Sequence, residues 1–181
     1  MLVARAVAGS EASNPFDVAT LDYDARYLRR AVIRTTGGRE VLVDLAEAQT
    51  LRHGARLVLE DGRAIAVEAA PEALAEVRAE TPLALARLAW HLGNRHLPTQ
   101  IEADRLLIRR DHVIEHMLAH RGARVTPVEA PFDPEGGAYG DGRTHGHAHG
   151  HAHEHDHHHA DAAQAHGADG HVAAPASRDP R

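Results

Sequence analysis

The chain has 181 residues, enough for one ordinary domain or two small ones plus a tail. It has no cysteine, so disulfides and thiolate ligands are excluded, and its formal charge of −6 argues against the basic face that a nucleic-acid binder needs. No apolar run approaches the roughly 20 residues of a membrane span, and Met1-Leu2-Val3-Ala4-Arg5 lacks the basic segment and apolar core of a signal peptide. A cytoplasmic protein without membrane or nucleic-acid partners is expected.

From Met1 to about Ala69, short β-rich runs alternate with turn signals, and strands are predicted at 2–7, 30–35, 39–45, 56–60 and 63–68. Thr36-Gly37-Gly38 and Glu60-Asp61-Gly62 supply hairpin turns, because glycine tolerates the positive φ such turns require. Five strands in so short a stretch suggest a compact barrel or sandwich. His53, in a Leu-Arg-His-Gly turn, reads as a surface histidine. The stretch Tyr23-Asp24-Ala25-Arg26-Tyr27-Leu28-Arg29-Arg30 is basic and bears tyrosines, so it suits either a docking surface or a solvated loop entering a strand.

Ala69-Ala70-Pro71 marks a boundary. Beyond it the predicted order is strand 73–79, helix 82–93, strand 99–103, strand 105–109, helix 112–121 and strand 123–129. This βαββαβ order is the ferredoxin-like arrangement, in which two helices cover one face of an antiparallel sheet. Thr81-Pro82 fits an N-cap followed by proline at the first helical position, and Gly93-Asn94 fits a left-handed stop. Asp111 can cap the second helix and Gly122 can end it. The expected fold is therefore α+β: a β-rich domain over 1–70, a ferredoxin-like domain over 71–142, and a tail over 143–181. The tail is rich in Gly, Ala, Asp and His and has nothing to build a core from, so disorder is expected there. A ferredoxin-like unit of about 70 residues has a thin core, which makes dimerisation a reasonable way to bury more apolar surface.

The tail holds eleven of the seventeen histidines. His145, His147, His149, His151, His153, His155, His157, His158 and His159 mostly alternate with small or acidic residues, and His166 and His171 follow. Neutral imidazole is the commonest protein ligand for borderline divalent metals, and an extended chain brings several rings to one ion without a fold. A purification tag is the bland alternative; the longest pure run is three residues and 22 more follow it, which argues against one. In the folded part, His96 follows the first helix, where it suits either a ligand at a rigid exposed spot or a cap at the helix dipole. His91 reads as a packing residue. His112, His116 and His120 repeat every four residues along the second helix, opposite a core stripe of Val113, Ile114, Met117 and Leu118. They form either a polar face or ligands that pair at i, i+4.

The segment Trp90-His91-Leu92-Gly93-Asn94-Arg95-His96-Leu97-Pro98-Thr99-Gln100-Ile101 is followed by Asp111-His112-Val113 and by Ala130-Pro131-Phe132-Asp133-Pro134-Glu135-Gly136-Gly137-Ala138-Tyr139-Gly140. Together with 21–30, Leu42-Val43-Asp44-Leu45 and Leu59-Glu60-Asp61-Gly62, it resembles the UreE family of urease accessory proteins over about residues 1 to 142. The resemblance implies a nickel metallochaperone, not an enzyme, with a β-rich partner-binding domain ahead of a metal-binding domain that dimerises. It implies that His96 of each subunit meets at the two-fold axis to hold one Ni²⁺. It further implies delivery to apo-urease through a complex of a GTPase and other accessory proteins. His112 occupies a position where family members carry additional ligands, although Arg110 and the lack of cysteine depart from the family's outer site. His116, and the tail histidines, are further candidate ligands on spacing alone.

Two imidazoles leave a nickel ion with open positions, so the cargo remains releasable, and imidazoles alone do not exclude Zn²⁺ or Cu²⁺. A storage or detoxification protein, with the tail as its working part, is the rival reading. A metallohydrolase built on His112 and His116 lacks the His-Glu-x-x-His arrangement, although Glu115 precedes His116.

Overall fold

The protein is described by a computed structural model covering residues 1–11 and 14–135. Two sheets and two helices account for them. The first sheet contains β1 (Leu2–Ala8), β2 (Asp17–Leu21), β3 (Tyr27–Arg34), β4 (Glu40–Thr50), β5 (Arg56–Leu59) and β6 (Ala64–Ala69), in the order β2-β6-β5-β1-β4-β3. It is mixed: β1 runs parallel to β4 and β2 parallel to β6, whereas the remaining neighbours are antiparallel. Both predicted turns are present, with Gly38 at φ 79° and Gly62 at φ 82°.

The expected compact barrel or sandwich takes the form of one mixed sheet with a half-barrel curl, whose two edges approach at one end. The Thr36 N–H, just past β3, donates to the Val18 carbonyl on β2 at 2.7 Å. Asp17, buried at the start of β2, accepts from the Thr35 hydroxyl at 2.8 Å, the Arg39 guanidinium at 2.6 Å and the Gly37 N–H at 3.2 Å. Burial alone raises the pKa of that carboxyl. The hydrogen bonds from Thr35, the Val18 N–H, Arg39 and Gly37 outweigh it and hold Asp17 well below the ordinary carboxylate range. Alternation along β4 puts Val41, Val43 and Leu45 into the core, where they meet Leu57 and Leu59 of β5 and Ile65 and Val67 of β6.

Strand β2 is absent from the sequence expectation because Asp17-Val18-Ala19-Thr20-Leu21 follows Pro15 and opens on a carboxylate, both turn signals. Its pairing comes from β6, five residues in parallel register from Asp17 with Ile65 to Leu21 with Ala69.

The chain changes sheets between Ala69 and Pro71. The second sheet contains β7 (Pro71–Arg78), β8 (Thr99–Ile101), β9 (Leu106–Arg109) and β10 (Arg124–Pro131), ordered β10-β7-β9-β8 with every pair antiparallel. Helix α1 (Pro82–Gly93) links β7 to β8, and α2 (His112–His120) links β9 to β10. Leu85, Leu88 and Leu92 of α1 and Leu118 of α2 are buried against Ala75, Val77, Leu106 and Ile108 of the sheet. Val113 departs from the predicted core stripe: it is 61% exposed, while Ile114 and Met117 are half-buried. A helix of nine residues presents only its middle turns to the sheet, and Val113 sits in the first turn.

Candidate metal centre

Helix α1 starts as its sequence predicts. The Thr81 hydroxyl accepts from the Ala84 N–H at 3.1 Å, and Pro82 occupies the first helical position, where its missing N–H leaves nothing unpaired. The other end differs from the expected Gly93-Asn94 stop. Asn94 is right-handed at φ −66°, and Gly93 is not among the residues at positive φ. The left-handed residue is His96, at φ 57°. The His96 N–H donates to the Gly93 carbonyl at 2.9 Å and the Leu97 N–H to the Leu92 carbonyl at 3.3 Å. That reciprocal pair is a Schellman motif with His96 in the position usually given to glycine, and Leu97 folds back to the core that contains Leu92.

A side chain in the left-handed region costs roughly 1–2 kcal/mol relative to glycine, and such strain persists where the side chain is needed. His96 is exposed, on a turn fixed by two backbone hydrogen bonds, with the buried Leu92 before it and the half-buried Leu97 after it. Side-chain capping falls to Arg95, whose guanidinium donates to the His91 carbonyl at 2.9 Å. His91 is half-buried edge-to-face with Trp90, ring centroids 5.0 Å apart. Burial, followed by the positive charges of Arg121 and Arg95, pushes its imidazole below the ordinary histidine value. The outer face of α1 leaves Leu83 63% and Trp90 65% exposed.

On α2, Asp111 is the N-cap, accepting from the N–H groups of Val113 and Ile114. Glu115 is held by two hydrogen bonds from Arg110, at 2.6 and 3.1 Å, and accepts from the Asp111 N–H at 3.1 Å. The Arg110 hydrogen bonds lower its pKa against the opposing effect of burial. A carboxylate so committed cannot serve as the free base of a hydrolase. Of the three helical histidines the structure brings together His116 and His120, with Nε2 atoms 2.9 Å apart; His112, exposed at the first helical position, stays out of that pair. Among the described residues no three His, Asp or Glu side chains converge on one metal position. His145, His147, His149, His151, His153, His155, His157, His158 and His159 lie outside the described residues.

The basic, tyrosine-bearing stretch is a turn that leads into β3, with Asp24, Ala25, Arg29 and Arg30 exposed, but one of its arginines is withdrawn from the surface. Arg26 is fully buried. Its guanidinium donates to the Leu51 carbonyl at 3.0 Å, to the Asp133 carboxylate at 2.6 Å and to the Phe132 carbonyl. Arg52 joins from the surface, 3.2 Å from Asp133 and donating to the Pro134 carbonyl at 2.5 Å. Phe132 is itself fully buried, packed with Leu74 and Leu107 and edge-to-face with Tyr23 at 5.5 Å. This clamp ties the segment after β10 to the first sheet. Composition could not distinguish Arg26 from its exposed neighbours Arg29 and Arg30; Phe132 and Asp133 between two prolines were the available signal that the segment is fixed. Beyond it, the Glu135 N–H donates to the Thr99 carbonyl at 3.0 Å, so the described chain ends three residues in sequence from the position of His96.

Among the described residues no helix is long and apolar enough to cross a membrane. The family model for the UreE urease accessory protein N-terminal domain matches residues 4–70, and that for its C-terminal domain matches residues 72–159. Three proteins, each called urease accessory protein UreE, are similar along most of this chain. That of Ruegeria sp. (strain TM1040) is 57% identical over 132 residues, 73% of each chain. That of Bradyrhizobium sp. (strain ORS 278) is 61% identical over 125 residues, 69% of this chain and 60% of the relative. That of Chelativorans sp. (strain BNC1) is 55% identical over 134 residues, 72% of this chain and 85% of the relative.

Proposed function

This chain belongs to the UreE family of urease accessory proteins, and from that premise we propose that it is a cytoplasmic nickel metallochaperone for urease maturation. It carries Ni²⁺ as cargo and hands it to apo-urease through a complex of a GTPase and other accessory proteins; it catalyses no reaction of its own. Residues 1–70 form the partner-binding domain. Residues 71–142 form a ferredoxin-like metal-binding domain, a reading supported by the all-antiparallel β10-β7-β9-β8 order with a helix on each crossover.

The observation that carries the proposal is the left-handed conformation of His96. Glycine would relieve the strain at that position, so a histidine there argues for a need for its ring. The neighbouring face of α1, with Leu83 and Trp90 exposed, is the surface a second copy would cover. A two-fold axis through such a contact supplies His96 twice, which turns one exposed ring into a pair. Two imidazoles leave octahedral or square-planar Ni²⁺ with open positions for water or for tail histidines. Ten residue steps lead from Glu135 to His145, a reach of at most about 35 Å when extended, so tail rings can come to the ion. A site this incomplete holds metal at a Kd of roughly micromolar, about −8 kcal/mol, and a better-ligated acceptor can take it. Imidazole does not favour nickel over copper, so metal supply and the accepting partner set the choice of cargo.

The test is nickel calorimetry on the chain ended at Arg143 with His116→Ala and His120→Ala as the background, so that the close imidazole pair of α2 does not compete for the first nickel. His96→Ala should raise the Kd of the first nickel at least about a hundredfold, equivalent to ~3 kcal/mol, with unchanged circular dichroism. His112→Ala should leave that first Kd nearly untouched. A first nickel bound as tightly without His96 as with it contradicts the proposal.

A further inference from the structure

We propose that His116 and His120 form a second metal site, a bidentate imidazole pair on the exposed face of α2 for a divalent cation of the nickel, copper and zinc class. The site lies within one helix and does not depend on the reading of His96. Residues four apart on a helix are neighbours on its surface, but most such histidines splay into solvent. Here both rings are exposed and their Nε2 atoms stand 2.9 Å apart. A metal at the usual metal–nitrogen distance of about 2.05 Å, bound by two nitrogens at a right angle, places those nitrogens about 2.9 Å from one another. The separation is therefore that of adjacent ligands in an octahedral or square-planar sphere.

Ring orientation agrees with this. The centroids are 4.3 Å apart, farther than the nitrogens, and the planes are inclined by 80°. A wider spacing of the centroids than of the nitrogens is what two rings facing one ion would show. When a cation takes both Nε2 atoms, each ring keeps its one N–H at Nδ1. Glu115, the neighbouring carboxylate on the helix, is taken up by Arg110, and His112 remains a turn away from the pair. The two residues contribute cis ligands from a preformed arrangement, and water completes the sphere. The helix holds the second imidazole close to the ion once the first has bound, so the pair exceeds the affinity of either ring alone.

The experiment follows the imidazole nitrogen signals of His116 and His120 by NMR in the full-length chain, against free Zn²⁺ set by a metal buffer so that uptake by the tail does not distort the scale. Both Nε2 signals should shift together with one midpoint. His120→Ala should move the His116 midpoint to at least about tenfold higher free zinc, and His112→Ala should leave it unchanged. Two separate midpoints, no response of either ring when the tail is saturated, or a His116 response that weakens with His112→Ala and not with His120→Ala would each overturn the proposal.

Discussion

Arg26 and His96 are both basic residues in turns beside the second sheet, and the protein treats them in opposite ways. Arg26 is removed from water entirely. Two carbonyls and the Asp133 carboxylate occupy its terminal nitrogens, and only its Nε is left without a partner. His96 has its backbone fixed and strained while its side chain is exposed. A charge hidden with its partners holds two parts of a fold together; a ring exposed at the expense of backbone strain faces outward from the fold. The clamp and the turn are joined through Thr99 and Glu135, so the rigid part of the molecule supports the exposed part directly.

The largest expected effect breaks the first half of that comparison. Asp133→Ala leaves the buried Arg26 guanidinium without its counter-charge, which should cost about 3–5 kcal/mol in urea denaturation of the chain. A loss under ~1 kcal/mol would mean that Arg26 is solvated in solution and the clamp is not a fixed structure. Nickel affinity of whatever remains folded should be unchanged, since the backbone hydrogen bonds that fix the His96 turn run to Gly93 and Leu92 and not to the clamp.

A smaller effect separates buried from half-exposed charge. Glu76 on β7 accepts from Arg78 and Arg105, at 2.7 Å from each, and those hydrogen bonds, against the opposing effect of burial, lower its carboxyl from 4.5 to about 2. Because the folded value is the lower one, the stabilisation is complete above the unfolded value and is lost as the pH falls from 4.5 towards about 2. Partial exposure of both arginines limits it to on the order of 1–2 kcal/mol. Glu76→Gln should flatten that part of the acid-unfolding curve; an unaltered slope would assign it to other carboxylates.

The smallest effect sharpens the second half. His96→Gly should make the protein about 1 kcal/mol more stable by relieving the left-handed strain, while removing the ring. His96→Ala should change stability by less than about 0.5 kcal/mol, because alanine keeps the strain. If glycine destabilises, the ring contributes to the fold and the case for its external role weakens.

Local rules made much of the fold legible. Both helices, their N-caps at Thr81 and Asp111, the turns at Gly38 and Gly62, and the helix end at Gly122 each depend on a few adjacent residues. What escaped depends on distant ones. Strand β2 exists through its parallel pairing with β6, the closure of the sheet through Asp17, and the burial of Arg26 through a segment more than a hundred residues away. The site divides in the same way. His96 was marked as a candidate by its position after a helix, but the left-handed stop was misplaced onto Gly93-Asn94, since glycine and asparagine are the residues that usually take that conformation and histidine seldom does. Four-residue spacing marked the α2 histidines without showing which two meet, because His112-His116 and His116-His120 are equivalent on a helical wheel. Only the structure distinguishes them.

The most direct test of the account is native mass spectrometry of the chain ended at Arg143 and carrying His116→Ala and His120→Ala, so that the α2 pair takes no metal, loaded with limiting Ni²⁺. A two-fold site made from His96 predicts a species of two chains and one nickel, and its disappearance in His96→Ala. One nickel on a single chain, or a two-chain, one-nickel species that survives the loss of His96, would contradict it.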